Sequence, residues 1–258
     1  VILLFPSHSQ SYYRHGELIF KESRNHFSIA PSINSFSLSS TRSNEKAIHC
    51  DDFVIGMKDQ GEWCCETLAA SVHCVEEVSI HFMEHKNGEC INTFSISLFM
   101  VPETHTLFTW IPCSVDSSLY IDLICDLLAN VSFQTCILLD SFPYSQRAGL
   151  NASPSQVYSL CGGFEDDALD PSEAIQPLPS PNYIQGLGAE LFTYLLTSQK
   201  RVCLLCCCPD QGFTEEPVIA LLHHISQLCR LHYETESARR ALHHVLYRKA
   251  AVSAYSSV

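Results

Sequence analysis

Seven consecutive apolar residues at 202–208, Val-Cys-Leu-Leu-Cys-Cys-Cys, constrain the fold more than any other feature of the chain. Pro209 and Asp210 stop the run, so it is far short of the ~20 residues of a membrane span. The stretch before it, from Leu178, enters through Pro179 and Pro181. It then spaces Leu187, Leu191, Tyr194 and Leu195 three and four apart, as one face of a helix does. Ser198, Gln199 and Lys200 form a polar break between the two. A short apolar run after a helix reads as a strand buried on both faces. Such strands belong to sheets covered by helices. The expected fold class is therefore α/β: a mixed central β-sheet with flanking helices in a single domain.

The middle of the chain supplies the antiparallel part. Val78, Ile80 and Phe82 alternate with polar residues, as in a half-buried strand. Asn87-Gly88 is a hairpin signal. Phe94, Ile96, Leu98 and Met100 alternate next, and 107–111 is a further strand. Residues 52–57 read as a strand or turn, 66–75 as a helix and 26–30 as a first strand. The Ser-rich segment 35–43 reads as a loop or short helix. A helix at 116–130 is capped by Asp116 or Ser117 and carries the stripe Leu119, Leu123, Ile124, Leu127, Leu128. A strand at 135–139 ends at Asp140. After the 202–208 strand come a helix at about 215–233 and a basic helix-prone segment at 236–249.

This pattern divides the chain into a poorly ordered lead-in at 1–25 and one α/β domain at 26–258. Within the domain lie a long loop at 143–181 and a C-terminal tail at 250–258. The loop holds Pro154, Gly162, Gly163, Pro171, Pro177, Pro179 and Pro181, with the acids Glu165, Asp166 and Asp167. Loops of this length are functional or disordered. The chain begins at Val1 and not Met, as a fragment or an unusual gene start does. Val1 to Phe5 has no basic flank and no small-residue cleavage site, so no signal peptide is expected.

Net charge is −13 with His neutral. Nucleic-acid binders carry a basic footprint, so no nucleic-acid partner is expected, and anionic membrane surfaces are disfavoured for the same reason. The 14 cysteines mostly sit inside apolar runs. Adjacent residues of a strand point to opposite faces, so the triplet Cys206-Cys207-Cys208 is a poor disulfide source. Reduced core cysteines and a cytoplasmic, also nuclear, setting fit better.

Each candidate for chemistry has a plainer alternative. Asp140 ends a strand, where α/β folds bind ligands. It is the basis of an alternative reading as a small-molecule hydrolase or phosphorylase-like enzyme. No nucleophile or paired carboxylate accompanies it, so a loop cap is the better reading. Cys203 and Cys206 have Cys-x-x-Cys spacing, but zinc needs a second such pair or a His pair. His223-His224 and His243-His244 are neighbours on helices, about 100° apart, so neither pair chelates a metal alone. Gly186-Leu187-Gly188 lacks the third glycine of a dinucleotide fingerprint. No catalytic residue, cofactor or metal is expected.

Three segments, in this order and spacing, resemble the proteasome assembly chaperone family. One runs from Ile96 to Leu128 and reads as a strand pair followed by a helix. Another is Gln134 to Phe142. The third begins at Pro181-Asn182-Tyr183-Ile184 and continues through the helix to the strand ending at Cys208. The resemblance implies a non-enzymatic chaperone that pairs with a second, related chaperone. The heterodimer would hold the ring of proteasome α-type subunits during 20S assembly. Members often end in a hydrophobic–Tyr–any tripeptide that inserts between α subunits. The similar tripeptide here is Ala254-Tyr255-Ser256, followed by Ser257 and Val258.

Overall fold

Four parallel strands make the centre of the main sheet, and their sequences explain why. In a computed structural model of the chain, β5 (Asp52–Met57), β8 (Thr106–Ile111), β10 (Thr135–Ser141) and β12 (Arg201–Cys207) lie in the order β12-β10-β5-β8. β10 pairs in parallel with both β12 and β5, and β5 pairs in parallel with β8. Alternate residues of each strand enter separate cores. Phe53, Ile55, Cys136, Leu138, Val202 and Leu204 belong to one, while Val54, Ile137, Leu139, Cys203 and Leu205 belong to the other. A strand covered on both faces favours apolar residues at successive positions, which is the origin of the apolar run over 202–207 in β12.

The structure describes residues 10–14, 17–21, 34–40, 48–86, 89–111, 127–128, 131–141, 156–163, 175–179, 184–207 and 215–255. Antiparallel strands extend the parallel centre at both sides. Beyond β8 come β7 (Glu89–Val101), β6 (Val75–Lys86) and β3 (Asn34–Ser40); beyond β12 comes β11 (Val157–Gly162). The eight strands form a mixed sheet with helices on both faces, as expected. Lys86 pairs with Glu89 across the end of the β6–β7 hairpin, and the Asn87-Gly88 turn lies outside the described residues. Two small pairs stand apart: β1 (Gln10–Arg14) with β2 (Glu17–Lys21), antiparallel, and β4 (Ile48–His49) with β9 (Val131–Ser132), parallel. The first falls within the segment read as a lead-in.

Helix α1 (Lys58–Ser71) covers β5, β8 and β10, and α3 (Glu216–Leu228) and α4 (Thr235–Tyr255) lie on the same side. Helix α2 (Leu187–Thr197) covers β10 and β12 on the opposite face. α1 sits close against the sheet because two glycines remove side chains from the contact. A Cβ on Gly61 would lie 2.2 Å from the Leu139 carbonyl oxygen, and one on Gly56 would lie 2.3 Å from the Gly61 oxygen.

Several expectations need correction. The Ser-rich segment expected as a loop or short helix is, through Ser40, a strand (Asn34–Ser40), and residues 41–43 lie outside the described residues. Its alternation of Ser with Phe36 and Leu38 has the strand period of two, and Ser content hid it. The helix expected at 66–75 begins eight residues earlier, at Lys58. Gln60, Gly61, Glu62, Trp63, Cys64 and Cys65 are all buried, so no polar face marked it. The loop 143–181 contains β11, and Leu178 N–H donates to the Ser159 oxygen at 2.9 Å. The helix expected at 215–233 stops at Leu228. Arg230 takes a left-handed conformation (φ 54°) and Leu231 N–H bonds back to the Ser226 oxygen at 2.9 Å, a helix-ending arrangement. The strand expected at 26–30 and all but residues 127–128 of the helix at 116–130 lie outside the described residues.

Candidate interaction surface

The C-terminal helix presents two different faces. Ala238, Leu242 and Val245 are buried, and α4 packs on α1. Glu62 and Glu66 of α1, four residues apart, lie on one side of that helix and receive two cations from α4. Lys249 Nζ is 2.5 Å from Glu62 Oε1 and 3.1 Å from Glu66 Oε1, and Arg248 also pairs with Glu66. The Glu62 side chain is only 5% exposed. Burial depresses the Lys249 ammonium, but the hydrogen bonds and charges of Glu62 and Glu66 outweigh it and leave its pKa above the usual lysine value. These contacts fasten the C-terminal half of α4 to the body of the domain.

The outer face carries Arg239, Arg240, His243, His244 and Tyr247, all exposed. Tyr247 is 80% exposed, more than Val75 or Tyr194, the other large apolar side chains at the surface among the described residues. On a chain of net charge −13 this is a basic, aromatic strip on a rigidly held helix. Ala254 and Tyr255 form the end of α4, so the tripeptide singled out in the sequence begins on a helix whose other end is anchored. Ser256, Ser257 and Val258 lie outside the described residues.

Asp140 proves to be a fixed internal group. It is 2% exposed, and its Oδ1 accepts the Ser141 N–H at 2.8 Å. Its other oxygen abuts the start of α2, where a Cβ on Gly188 would lie only 2.1 Å from Oδ2. Gly186, just before the helix, has φ 77° and offers no side-chain cap. The Asp140 carboxyl thus lies against the N-terminal end of α2, where the helix dipole favours a negative group. Gly186 and Gly188, weak as a dinucleotide motif, are required by a left-handed turn and by this close approach.

Cys203 and Cys206 enter opposite cores, as an odd spacing on a strand dictates. Among the described residues, no group of three or more His, Cys, Asp or Glu side chains is arranged to hold a metal ion. The His223 and His224 rings stand edge to face, 5.6 Å apart, and burial lowers the His224 pKa, with His223 adding to the effect. His243 lies 3.8 Å from Glu215.

Sequence reasoning did not find an open cavity of about 640 Å³ at the N-terminal ends of β5 and β10. Asp51, Asp52, Glu103, His105, Gln134 and Arg230 line it. It lies at the opposite ends of the strands from Asp140, so the site expected for the alternative enzyme reading does not coincide with it. Burial, then the charge of Asp51, raises the Asp52 carboxyl, and Arg230 counteracts. Its lining comes from four separate chain segments, and no local motif announces it. The Glu62–Glu66 spacing was the one available signal for the α1–α4 ion cluster.

No family model and no curated protein matches the chain by sequence. Solved structures do. PbaA of Pyrococcus furiosus, described as an archaeal homolog of proteasome-assembly chaperone, aligns over 82% of this chain and 94% of its own, with TM-score 0.59 and 10% identity. PbaB of the same organism, described as an archaeal proteasome activator, aligns over 84% and 98%, with TM-score 0.54 and 10% identity. A Thermoplasma acidophilum protein of unknown function aligns over 80% and 88%, with TM-score 0.56 and 13% identity. The chain thus shares the fold of archaeal homologues of the proteasome assembly chaperones across most of its length.

Proposed function

We propose that the chain is a non-enzymatic chaperone of 20S proteasome assembly. It acts as one half of a heterodimer with a second, related chaperone and binds the ring of α-type subunits. The observation that carries this reading is the fold held in common with PbaA over most of both chains. The three sequence segments that resemble the family's first member, the partner of that second chaperone, support it in the same order. The anchored α4, with its basic and aromatic outer face and Ala254 and Tyr255 of the tripeptide at its end, is a suitable platform for contact with a ring of subunits. The expected location is the cytoplasm and the nucleus.

Affinity purification of the tagged chain from cells tests the proposal. A second chaperone of the same fold and α-type subunits should co-purify in stoichiometric amounts. Recovery of the chain alone refutes it. Deleting residues 255–258 should weaken α-ring binding and leave the thermal midpoint unchanged, because the ion pairs of Lys249 with Glu62 and Glu66 that hold α4 are kept. Undiminished ring binding after that deletion removes the tail from the mechanism.

A further inference from the structure

We propose that Cys161 and Cys203 form a thiol-oxidation site, in which Cys161 reacts with a small-molecule disulfide of the glutathione class and Cys203 resolves the product into a cross-strand disulfide. The inference is independent of the chaperone reading. Cys161 on β11 and Cys203 on β12 are directly opposed in the antiparallel register, and their Sγ atoms are 2.7 Å apart. A disulfide bond is about 2.05 Å, and its Cα atoms lie roughly 4.4–6.8 Å apart, which spans the separations of opposed residues in antiparallel pairs. The two sulfurs therefore need a shift of well under 1 Å to bond.

The two partners differ as an attacking and a resolving thiol must. β11 is the edge strand of the sheet and Cys161 is half-buried, while Cys203 is 0% exposed behind it. Other thiols among the described residues are less suited. Burial drives the pKa of Cys64, Cys65, Cys136 and Cys229 well above the ordinary thiol value, which suppresses the reactive thiolate. Cys74 is half-buried and directs its thiol to the Ala69 oxygen at 3.6 Å, and burial raises its pKa as well.

The chemistry balances with the named co-reactant. The Cys161 thiolate attacks one sulfur of the small disulfide, forms a mixed disulfide and releases one small thiolate. The Cys203 thiol then loses its proton to that thiolate, and its sulfur attacks Cys161 sulfur and expels the second small thiolate. The second thiolate takes the proton that Cys161 gave up. Two protein thiols are oxidised and one small disulfide is reduced to two thiols. The new bond ties the edge strand to the centre of the sheet and closes a loop of some 40 residues that includes α2. Closing a loop of that size raises the thermal midpoint by several degrees.

The full-length chain is incubated over a series of reduced-to-oxidised glutathione ratios, blocked with N-ethylmaleimide, digested without reduction and analysed by mass spectrometry. The expected result is a Cys161–Cys203 linked peptide as the first intramolecular disulfide, with a raised melting temperature that dithiothreitol reverses. In C203A the glutathione adduct should persist on Cys161, and in C161A residue Cys203 should stay unmodified. The wild-type mapping does not depend on either variant folding. Oxidation that consumes other cysteines first, with no link or adduct at Cys161, overturns the proposal. So does equal labelling of Cys203 in C161A.

Discussion

Gly61→Ala sets helix propensity against tertiary packing, and the two predict opposite signs. Within a helix, alanine is favoured over glycine by about 1 kcal/mol, so α1 considered alone should gain stability. In the folded chain the new Cβ would lie 2.2 Å from the Leu139 carbonyl oxygen and 2.8 Å from its carbonyl carbon. Those atoms belong to β10, which is held in register by β5 on one side and β12 on the other. They do not rotate aside as a side chain would. Overpacking costs about 1–3 kcal/mol and sometimes more, and a backbone obstacle places this site near 3. The net loss after the propensity gain is about 2 kcal/mol. With a urea slope of about 2–3 kcal/mol per molar, the midpoint should fall by roughly 0.7–1 M. The melting temperature should fall by about 4–8 °C. Urea titrations followed by far-UV circular dichroism and tryptophan fluorescence give the measurement, with Trp63 two residues from the change. Ala250→Gly, at an exposed position of α4, calibrates the propensity scale in the same protein. A Gly61→Ala midpoint at or above wild type would refute the argument that α1 rests directly on β10.

Three further perturbations probe other parts of the structure. Leu205→Asp places a carboxylate at a fully buried position of β12 and should cost several kcal/mol; a soluble variant with a cooperative melt would contradict a strand covered on both faces. Lys249→Met leaves Glu62 buried without its ammonium partner and should cost about 3–5 kcal/mol. Because the folded Lys249 pKa is raised above 10.5, its stabilisation is complete below that pH and is lost as pH rises through the folded value. Wild type should therefore lose melting temperature above pH 10.5 more steeply than the variant, and equal alkaline slopes would count against the ion cluster. Asp52→Asn should raise the melting temperature at pH 7. The folded chain holds the Asp52 proton more tightly than the unfolded chain, so ionisation costs stability above the unfolded value of 3.8 and the advantage should vanish below it. A lowered midpoint at pH 7 would mean that the Asp52 charge is instead needed by Arg230.

The elements legible in the sequence are those whose surroundings repeat along the chain. β6 and β7 show the alternation of an antiparallel meander. β12 shows the unbroken apolar run of a strand with two covered faces, and α2 shows a helical stripe. Where the surroundings are not periodic, the pattern failed. α1 is buried on nearly all sides between the sheet, α3 and α4, so its polar residues Gln60, Glu62 and Thr67 obscured a helix. β11 lies among prolines and glycines in what reads as a loop, and its pairing with β12 depends on residues 40 or more positions away. The candidate interaction face was legible in part: a basic helix near the C-terminus is visible in the residues. Its anchoring by Glu62 and Glu66 is not, because the partners are 187 and 183 residues from Lys249.

The sequence by itself determined the fold class, since binary patterning of apolar residues is a local property that each strand and helix carries with it. It also determined that Cys203 and Cys206 face opposite sides, because side chains alternate along any strand. Only the tertiary structure decided what those residues meet. It set the buried Asp140 carboxyl against the start of α2, and it made Gly61 a contact surface for β10. It brought Cys161 against Cys203, and it joined Lys249 to two carboxylates of α1. Each of these depends on a distance between segments remote in the chain, and such distances are set by how the sheet orders its strands, which no local pattern encodes.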